Sequence, residues 1–256
     1  MPEAQASPTL LQVDGLTKRY GALVAVDNVS MRVAEGEVRA VIGPNGAGKT
    51  TLFHLITGVV PPSSGRVQFA GSEITGLPAH VICQRGLSRT FQLTSLFPQM
   101  SARENAMLAA QARHPRRWQP FGGGAVFRRA RAASDAALEL LGLTPMADRP
   151  AGLLSHGDQR LLEVAMAMAQ EPKVLLLDEP TQGLSVEETA AAVDTLAQFL
   201  NRARVTVLLV EHDMDVVFRL AHKITVLARG GVIADGTPAD VKANARVQEA
   251  YLGGME

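Results

Sequence analysis

The sequence predicts an α/β fold with an inserted helical subdomain, on three observations. Short β-rich runs alternate with helical patterns from Leu10 onward. Two of the runs, Val174–Leu177 and Val205–Val210, are apolar throughout except for Thr206, which is typical of parallel strands covered on both faces. The middle of the chain, at about 93–170, has helical composition and almost no strand pattern.

These observations divide the chain into regions. We expect a flexible lead-in over residues 1–9 and a single domain over 10–256. Within that domain, a core made of 10–92 and 171–256 would enclose a helical subdomain at about 93–170.

The strands are predicted from β-rich runs bounded by glycine or turn residues. Before the middle region they are Leu10–Val13, Val29–Val33, Val38–Ile42 and the glycine-bracketed run Gly65–Gly71. After it, Val174–Leu177 and Val205–Val210 are followed by Ile224–Ala228 and Val232–Ala234, which form a closing hairpin.

Three helices are predicted in the middle region from apolar spacing. They are Ala102–Arg113, Val126–Leu141 with Gly142 as its C-cap, and Asp158–Gln170. The connection between the first two is rich in glycine and proline, which favours a loop.

Composition excludes several classes of protein. The 256 residues include 25 Lys+Arg and 25 Asp+Glu. The zero formal charge argues against a dedicated nucleic-acid binder, because such proteins neutralise phosphates with excess basic residues. The one cysteine, Cys83, excludes an internal disulfide and a cysteine-based zinc site. No apolar stretch approaches about 18 residues, so no membrane-crossing segment is predicted.

A glycine-rich motif follows the strand Val38–Ile42. It runs Gly43-Pro44-Asn45-Gly46-Ala47-Gly48-Lys49-Thr50, with Thr51 continuing into a helix, and matches G-x-x-x-x-G-K-[ST]. The glycines let the backbone curve so that its N–H groups point at phosphates, Lys49 is placed for the β- and γ-phosphates, and Thr50 for Mg²⁺. An accidental glycine-rich turn would not explain the strand–motif–helix context, so we predict a nucleotide site.

Two carboxylates end the buried strand Val174–Leu177. Asp178 and Glu179 would lie at the carboxyl edge of the sheet, where ligands bind in open α/β folds. Asp178 is predicted to hold Mg²⁺ and Glu179 to act as general base on the attacking water. Without the phosphate motif, such a strand end would simply meet solvent.

Several further motifs, in order along the chain, resemble those of the ATP-binding cassette (ABC) family. Leu154-Ser155-His156-Gly157-Asp158-Gln159 resembles its Leu-Ser-Gly-Gly-Gln signature, and it stands just before the Asp-Glu strand. The resemblance implies a P-loop NTPase core of ABC type with an antiparallel β subdomain and an inserted helical subdomain. It also implies ATP and Mg²⁺ as cofactors.

The family resemblance assigns roles to single residues. It implies that Tyr20 stacks on adenine, that Gln92 binds Mg²⁺ or the attacking water, and that His212 contacts the γ-phosphate. Taken singly, each would have a simpler explanation: a packed tyrosine, a solvated glutamine and an ordinary histidine. Their order along one chain favours the functional interpretation.

Ser155 and Gly157 are predicted to bind no phosphate of a nucleotide held by their own chain, and they therefore imply a dimer. In the family, this loop covers the γ-phosphate held by the opposite subunit, so ATP would be sandwiched head to tail. The chain departs from the family pattern where His156 replaces a glycine, where Asp158 precedes Gln159, and where Ser185 replaces a common aspartate. None of these departures removes a primary catalytic group.

Wider strings, such as Arg89-Thr90-Phe91-Gln92 and Gly236-Thr237-Pro238, resemble one subfamily. That subfamily comprises the ATPase subunits of branched-chain (hydrophobic) amino-acid importers. The resemblance implies a peripheral position at the cytoplasmic face of the inner membrane. The implied partners are transmembrane permease subunits, a second ATP-binding subunit (identical or paralogous) and, indirectly, an extracytoplasmic solute-binding protein. Nucleic acid is not among them.

Other functions stay open at this point: a urea or amide importer, a soluble ABC ATPase or an exporter subunit.

Two segments of the sequence are candidates for contact with a partner. Leu93–Met100, with Leu96 and Phe97, is predicted to contact the permease. Between Arg113 and Arg131 every charged residue is arginine, which favours either a solvated loop or contact with lipid headgroups or a permease.

Overall fold

The computed structural model describes residues 8–90, 96–113 and 123–252. Its strands, in chain order, are β1 (Thr9–Tyr20), β2 (Leu23–Ala34), β3 (Val38–Ile42), β4 (Ser64–Phe69), β5 (Ser72–Glu73), β6 (Leu87–Arg89), β7 (Val174–Asp178), β8 (Thr206–Val210), β9 (Lys223–Ala228) and β10 (Gly231–Gly236). Its α-helices are α1 (Lys49–Ile56), α2 (Ala79–Arg85), α3 (Ala102–Ala112), α4 (Gly123–Leu140), α5 (His156–Met168), α6 (Val186–Ala203), α7 (Met214–Leu220), α8 (Pro238–Lys242) and α9 (Ala245–Leu252). None of these helices is long and apolar enough to span a bilayer, as far as the described residues show.

Two compact units divide the chain. The first joins Met1–Ile82 to Val205–Glu256, and the second is Cys83–Arg204. The second unit includes β6, β7 and α6 as well as the central helices. The predicted helical subdomain at about 93–170 and the lead-in at 1–9 stay predictions.

The first unit contains an antiparallel sheet in the order β2-β1-β4-β5, which confirms the predicted antiparallel β subdomain. It also contains a set of strands in which β3 pairs in parallel with both β8 and β9. Every residue of β3 and β8 is buried, Arg39 of β3 included, and the burial of β8 is what its apolar run predicts. Strands β9 and β10 form the predicted hairpin.

A core cluster fixes β3 and β9 against the C-terminal helices. Ala40, Ile42 and Val226 are fully buried there. Val217 of α7 and Val241 of α8 pack on the same cluster. This packing holds the carboxyl end of β3, from which the phosphate motif continues.

In the second unit, β6 pairs in parallel with β7, while α3, α4 and α5 pack on one another. The three predicted helices are confirmed, each within a turn of its predicted ends. Gly142, predicted as a C-cap, follows α4 with φ of 69°, and the next N–H donates to the carbonyl of Leu138 at 2.8 Å. This is the bond expected of a left-handed cap.

Candidate ATP-binding and hydrolysis site

The glycine-rich motif forms a loop in which two positions accept only glycine. Gly43 and Gly48 have φ of 154° and 101°. A Cβ on Gly43 would collide with the carbonyl oxygen of Leu227, and one on Gly48 with the carbonyl oxygen of Ala25. The loop therefore lies directly against β9 and β2.

Lys49 lies inside this loop. Its side chain is mostly buried, and Nζ donates to the carbonyls of Gly43 at 2.7 Å and Pro44 at 3.1 Å. Helix α1 starts at Lys49, and its N-cap Gly48 has no side chain to cap the first N–H groups. Such uncapped N–H groups, beside an ammonium group, form a site for phosphate oxygens. Thr50 and Thr51, both half-buried, follow in the first turn.

Tyr20 ends β1 and is 48% exposed. The ammonium group of Lys18 lies 5.0 Å from the ring centroid. Tyr20 pairs with Leu23, two residues before Ala25, the residue that Gly48 approaches. Two strand residues span about 7 Å, so the residue paired with Tyr20 lies about 7 Å along β2 from the residue that the phosphate loop approaches.

His212 lies at the same sheet edge as this loop. Val210, the last residue of β8, pairs with Val41, so Gly43 and His212 both follow the carboxyl ends of adjacent strands. The imidazole is 60% exposed, and Nδ1 is 3.7 Å from the carboxylate of Glu211, which is fully buried. The first unit thus brings together the phosphate loop, Tyr20 and His212.

In the second unit, Asp178 is 2% exposed at the end of β7. Its Oδ2 accepts a hydrogen bond from Nη2 of Arg89 at 2.6 Å, and its backbone N–H donates to Oγ1 of Thr90 at 3.1 Å. Its other oxygen, Oδ1, is buried and has no hydrogen-bond partner among the described residues. Buried carboxylate oxygens are rarely left unsatisfied, and they are ligands that Mg²⁺ prefers, so this oxygen fits a metal.

Glu179 has a left-handed backbone, with φ of 50°, and Pro180 follows it. The N–H of Gln182 donates to the carbonyl of Glu179 at 3.1 Å and closes the turn. The turn carries the chain away from β7 directly after Asp178, so the two carboxylates belong to one strand end.

Ser155 and Gly157 lie at the N-terminus of α5. Ser155 is the N-cap, and its Oγ accepts a hydrogen bond from the N–H of Asp158 at 3.1 Å. The same hydroxyl donates to the carboxylate of Asp158 at 2.7 Å. The departure from the family pattern at Asp158 therefore has a structural effect. The hydroxyl of Ser155 donates its proton to the carboxylate of Asp158, and a phosphate oxygen would need the same proton.

Ser185 caps α6, and Glu188 completes its capping box. The pKa of Glu188 is lowered, chiefly by the backbone N–H and the hydroxyl of Ser185 and further by the N–H of Gly157 and the charge of His156. The carboxylate of Glu188 thus links the start of α6 to the start of α5. Nothing in the local sequence of either segment indicates this link.

Gln92 lies outside the described residues. Sequence reasoning assigned no role to Arg89, Thr90 or Glu188, although all three contact predicted site residues. Arg89 is the last residue of the short strand β6 and Thr90 follows it, and the pairing of β6 with β7 became visible only in the fold. A charged residue at a strand end was the one signal that could have indicated Arg89.

Comparison with known proteins agrees with this geometry. Residues 26–182 match the ABC transporter family, and residues 232–256 match the family described as branched-chain amino acid ATP-binding cassette transporter. The chain is 44% identical to the high-affinity branched-chain amino acid transport ATP-binding protein BraF of Pseudomonas aeruginosa, over 96% of this chain and 99% of the relative.

Two other proteins are similar over nearly the whole chain. The high-affinity branched-chain amino acid transport ATP-binding protein LivG of Escherichia coli is 40% identical, with 96% of this chain and 99% of the relative covered. A solved ATP-binding cassette of an ABC transporter in its ADP conformation superposes with a TM-score of 0.83 at 29% identity, covering 96% of this chain and 100% of that one. This chain belongs to the ABC transporter family, as an ATP-binding protein with ATP-hydrolysing activity.

Proposed function

We propose that this chain energises the uptake of branched-chain or other hydrophobic amino acids, as the ATPase subunit of an importer. The observation that carries the proposal is the nearly full-length similarity to two proteins named for high-affinity branched-chain amino acid transport. The match of the C-terminal residues 232–256 supports the same solute class. A related urea or amide importer is the second candidate, on the subfamily resemblance alone.

ATP is held, in this proposal, by the phosphate loop Gly43–Thr51, with Tyr20 against adenine. Mg²⁺ would be bound by Thr50, Gln92 and Asp178, and when bound it neutralises charge on the β- and γ-phosphate oxygens. The unsatisfied Oδ1 of Asp178 supports this assignment.

Three side chains act on the attacking water and the γ-phosphate. Glu179 takes the proton of the water, Gln92 orients the water, and His212 donates to the γ-phosphate. The exposed imidazole of His212, which follows the strand adjacent to β3, supports its role.

The active form is a head-to-tail dimer with an identical or paralogous ATP-binding subunit. Ser155 and Gly157 lie at the N-terminus of α5, where backbone N–H groups favour an anion, while the Ser155 hydroxyl donates to Asp158 within the chain. In the dimer this site covers the γ-phosphate bound by the partner subunit. Hydrolysis then releases the dimer.

The permease docks on an apolar surface of the second unit. Phe97 and Leu153 are 50% and 69% exposed. Their backbones adjoin, since the N–H of Gly152 donates to the carbonyl of Pro98 at 3.0 Å. We call these residues the Phe97–Leu153 surface, and its location supports the predicted permease contact at 93–100. Docking places the chain at the cytoplasmic face of the cytoplasmic membrane, fed indirectly by an extracytoplasmic solute-binding protein.

Uptake measurements test the proposal. A strain that lacks this chain is complemented with the wild type, Lys49→Ala or the exposed control Lys223→Ala, and supplied with labelled leucine, urea or acetamide. We expect the wild type and Lys223→Ala to restore leucine uptake and Lys49→Ala to fail, because its loop loses the phosphate-binding ammonium group. Recovery of urea or acetamide uptake without leucine would reassign the solute, and full recovery with Lys49→Ala would contradict the role of the loop.

A further inference from the structure

A buried ion pair joins the ends of β6 and β7. Nη2 of Arg89 lies 2.6 Å from Oδ2 of Asp178, and the two side chains are 6% and 0% exposed. Burial removes both groups from water, so the pair holds one geometry instead of exchanging with solvent.

Thr90 fixes the backbone of the same residue, Asp178. Its N–H donates to the carbonyl of Leu176 at 2.9 Å, which extends the pairing of β6 with β7 by one residue. Its Oγ1 accepts the N–H of Asp178 at 3.1 Å. Consecutive residues of β6 and its extension thus hold both the main chain and one carboxylate oxygen of Asp178.

The arrangement leaves the other oxygen of Asp178 in a defined position. Oδ1 is buried without a hydrogen-bond partner among the described residues, while Oδ2 is engaged by Arg89. A carboxylate held at one oxygen has little freedom to rotate about its side-chain bonds, so the second oxygen keeps its direction.

We propose that Arg89 is a positioning residue for the metal, holding Asp178 by Oδ2 so that Oδ1 is presented to Mg²⁺. The inference rests on the proposed role of Asp178 as a magnesium ligand. In this proposal Arg89 acts through the carboxylate, as outer-shell partners do in other metal sites.

Metal binding can be measured apart from hydrolysis. Purified full-length chains carrying Arg89→Met, Arg89→Lys or Asp178→Asn are titrated with Mn²⁺ in the presence of the non-hydrolysable ATP analogue AMP-PNP, and free Mn²⁺ is followed by electron paramagnetic resonance. AMP-PNP binding is measured separately in EDTA. Arg103→Met is the matched control, since Arg103 is ion-paired with Asp148 in the same unit.

We expect Arg89→Met to weaken Mn²⁺ binding about 10- to 100-fold, the usual effect of losing an outer-shell partner, and to leave AMP-PNP binding in EDTA within about twofold. Arg89→Lys keeps a positive charge with a different donor geometry and should recover part of the loss. That variant also keeps the test open if Arg89→Met does not fold. Arg103→Met should bind Mn²⁺ like the wild type.

A double variant separates the two proposals. If Arg89 acts only through Asp178, adding Arg89→Met to Asp178→Asn should weaken Mn²⁺ binding no further. Additive effects, wild-type Mn²⁺ binding by folded Arg89→Met and Arg89→Lys, or an equal loss of AMP-PNP in EDTA would overturn the role of Arg89. Unchanged Mn²⁺ binding by Asp178→Asn would instead overturn the proposed magnesium role of Asp178.

Discussion

Glu179 stores backbone strain at the point where the chemistry is proposed. Its φ of 50° is uncommon for a residue other than glycine. A left-handed residue of this kind costs on the order of 1–3 kcal/mol and persists only where its surroundings enforce it. Here the buried Asp178 on one side and the turn bond from Gln182 on the other hold it.

Glu179→Gln should keep ATP binding and lose hydrolysis. Glutamine has the same shape, so the turn and the phosphate loop stay as they are, but its amide does not take the proton of the attacking water. We expect phosphate release to fall about 100-fold or more and ATP affinity to stay within about threefold. ATP should then trap a dimer, detectable by size-exclusion chromatography. Glu187→Gln, on the exposed start of α6, is the control, and full turnover by Glu179→Gln would exclude the general-base role.

At the scale of elements, Asn105 joins α3 to the segment before it. This asparagine is fully buried. Its Oδ1 accepts the N–H of Phe97 at 2.8 Å, and its Nδ2 donates to the carbonyls of Ser101 at 2.9 Å and Phe97 at 3.1 Å. A short polar side chain inside the unit thus fixes the backbone that exposes Phe97.

Asn105→Ala should destabilise the second unit by about 2–3 kcal/mol, because it removes these hydrogen bonds and takes the acceptor from the N–H of Phe97. Urea unfolding followed by circular dichroism measures the change. Asn201→Ala, an exposed asparagine of α6, should stay within about 0.5 kcal/mol of the wild type. If Asn105→Ala unfolds at the wild-type urea concentration, Asn105 does not organise this segment.

The helix caps make the elements sensitive to acid. Glu104 closes the capping box of α3, and its pKa is lowered by hydrogen bonds from the backbone N–H and then the hydroxyl of Ser101. A lowered pKa means that the folded state binds this proton less readily than the unfolded state. The contribution of the cap is therefore fully present above the unfolded value of about 4.3 and is lost as the pH falls through the lower, folded value.

Glu104→Gln should test this pH dependence. At pH 6 the variant should unfold at lower urea concentration than the wild type. The difference should shrink as the pH falls from 5 to 3.5, because the unfolded wild type then binds a proton that the folded cap disfavours. Glu139→Gln, exposed near the end of α4, is the control without a capping contact. A difference that stays constant down to pH 3.5 would rule out the carboxylate as its source.

At the scale of the whole molecule, the two sides of the proposed sandwich belong to different compact units. The phosphate loop is part of the first unit and the signature loop at Ser155 part of the second. In the proposed dimer, a complete site takes the phosphate loop of one chain and the signature loop of another. Two defective chains can therefore supply complementary parts.

Mixing Lys49→Ala with Ser155→Arg should restore ATPase activity that neither variant has alone. In the mixed dimer, the intact phosphate loop of Ser155→Arg meets the intact signature loop of Lys49→Ala. Phosphate release, measured across mixing ratios, should be maximal near equal amounts. A mixture that stays inactive at every ratio would count against a sandwich made of two copies of this chain.

Local motifs were predictable from the sequence, whereas contacts between distant segments were not. The loop Gly43–Thr50 and the carboxylates at the end of β7 depend on backbone freedom and apolar runs within a few residues, so their spacing identifies them. Arg89 contacts Asp178 only because β6 pairs with β7, and nothing in the sequence of Leu87–Arg89 predicts that pairing.

The amino-acid sequence was sufficient for the fold class, the phosphate loop, the order of the family motifs and the family itself. The tertiary structure alone decided that Oδ2 of Asp178 is held by Arg89, that Glu188 links two helix starts and that Asn105 supports the exposed Phe97. The physical reason is the distance along the sequence over which each feature is determined. Glycine torsions, strand runs and caps are set by near neighbours, but a buried polar group takes its partner from whichever segment the packed core brings beside it.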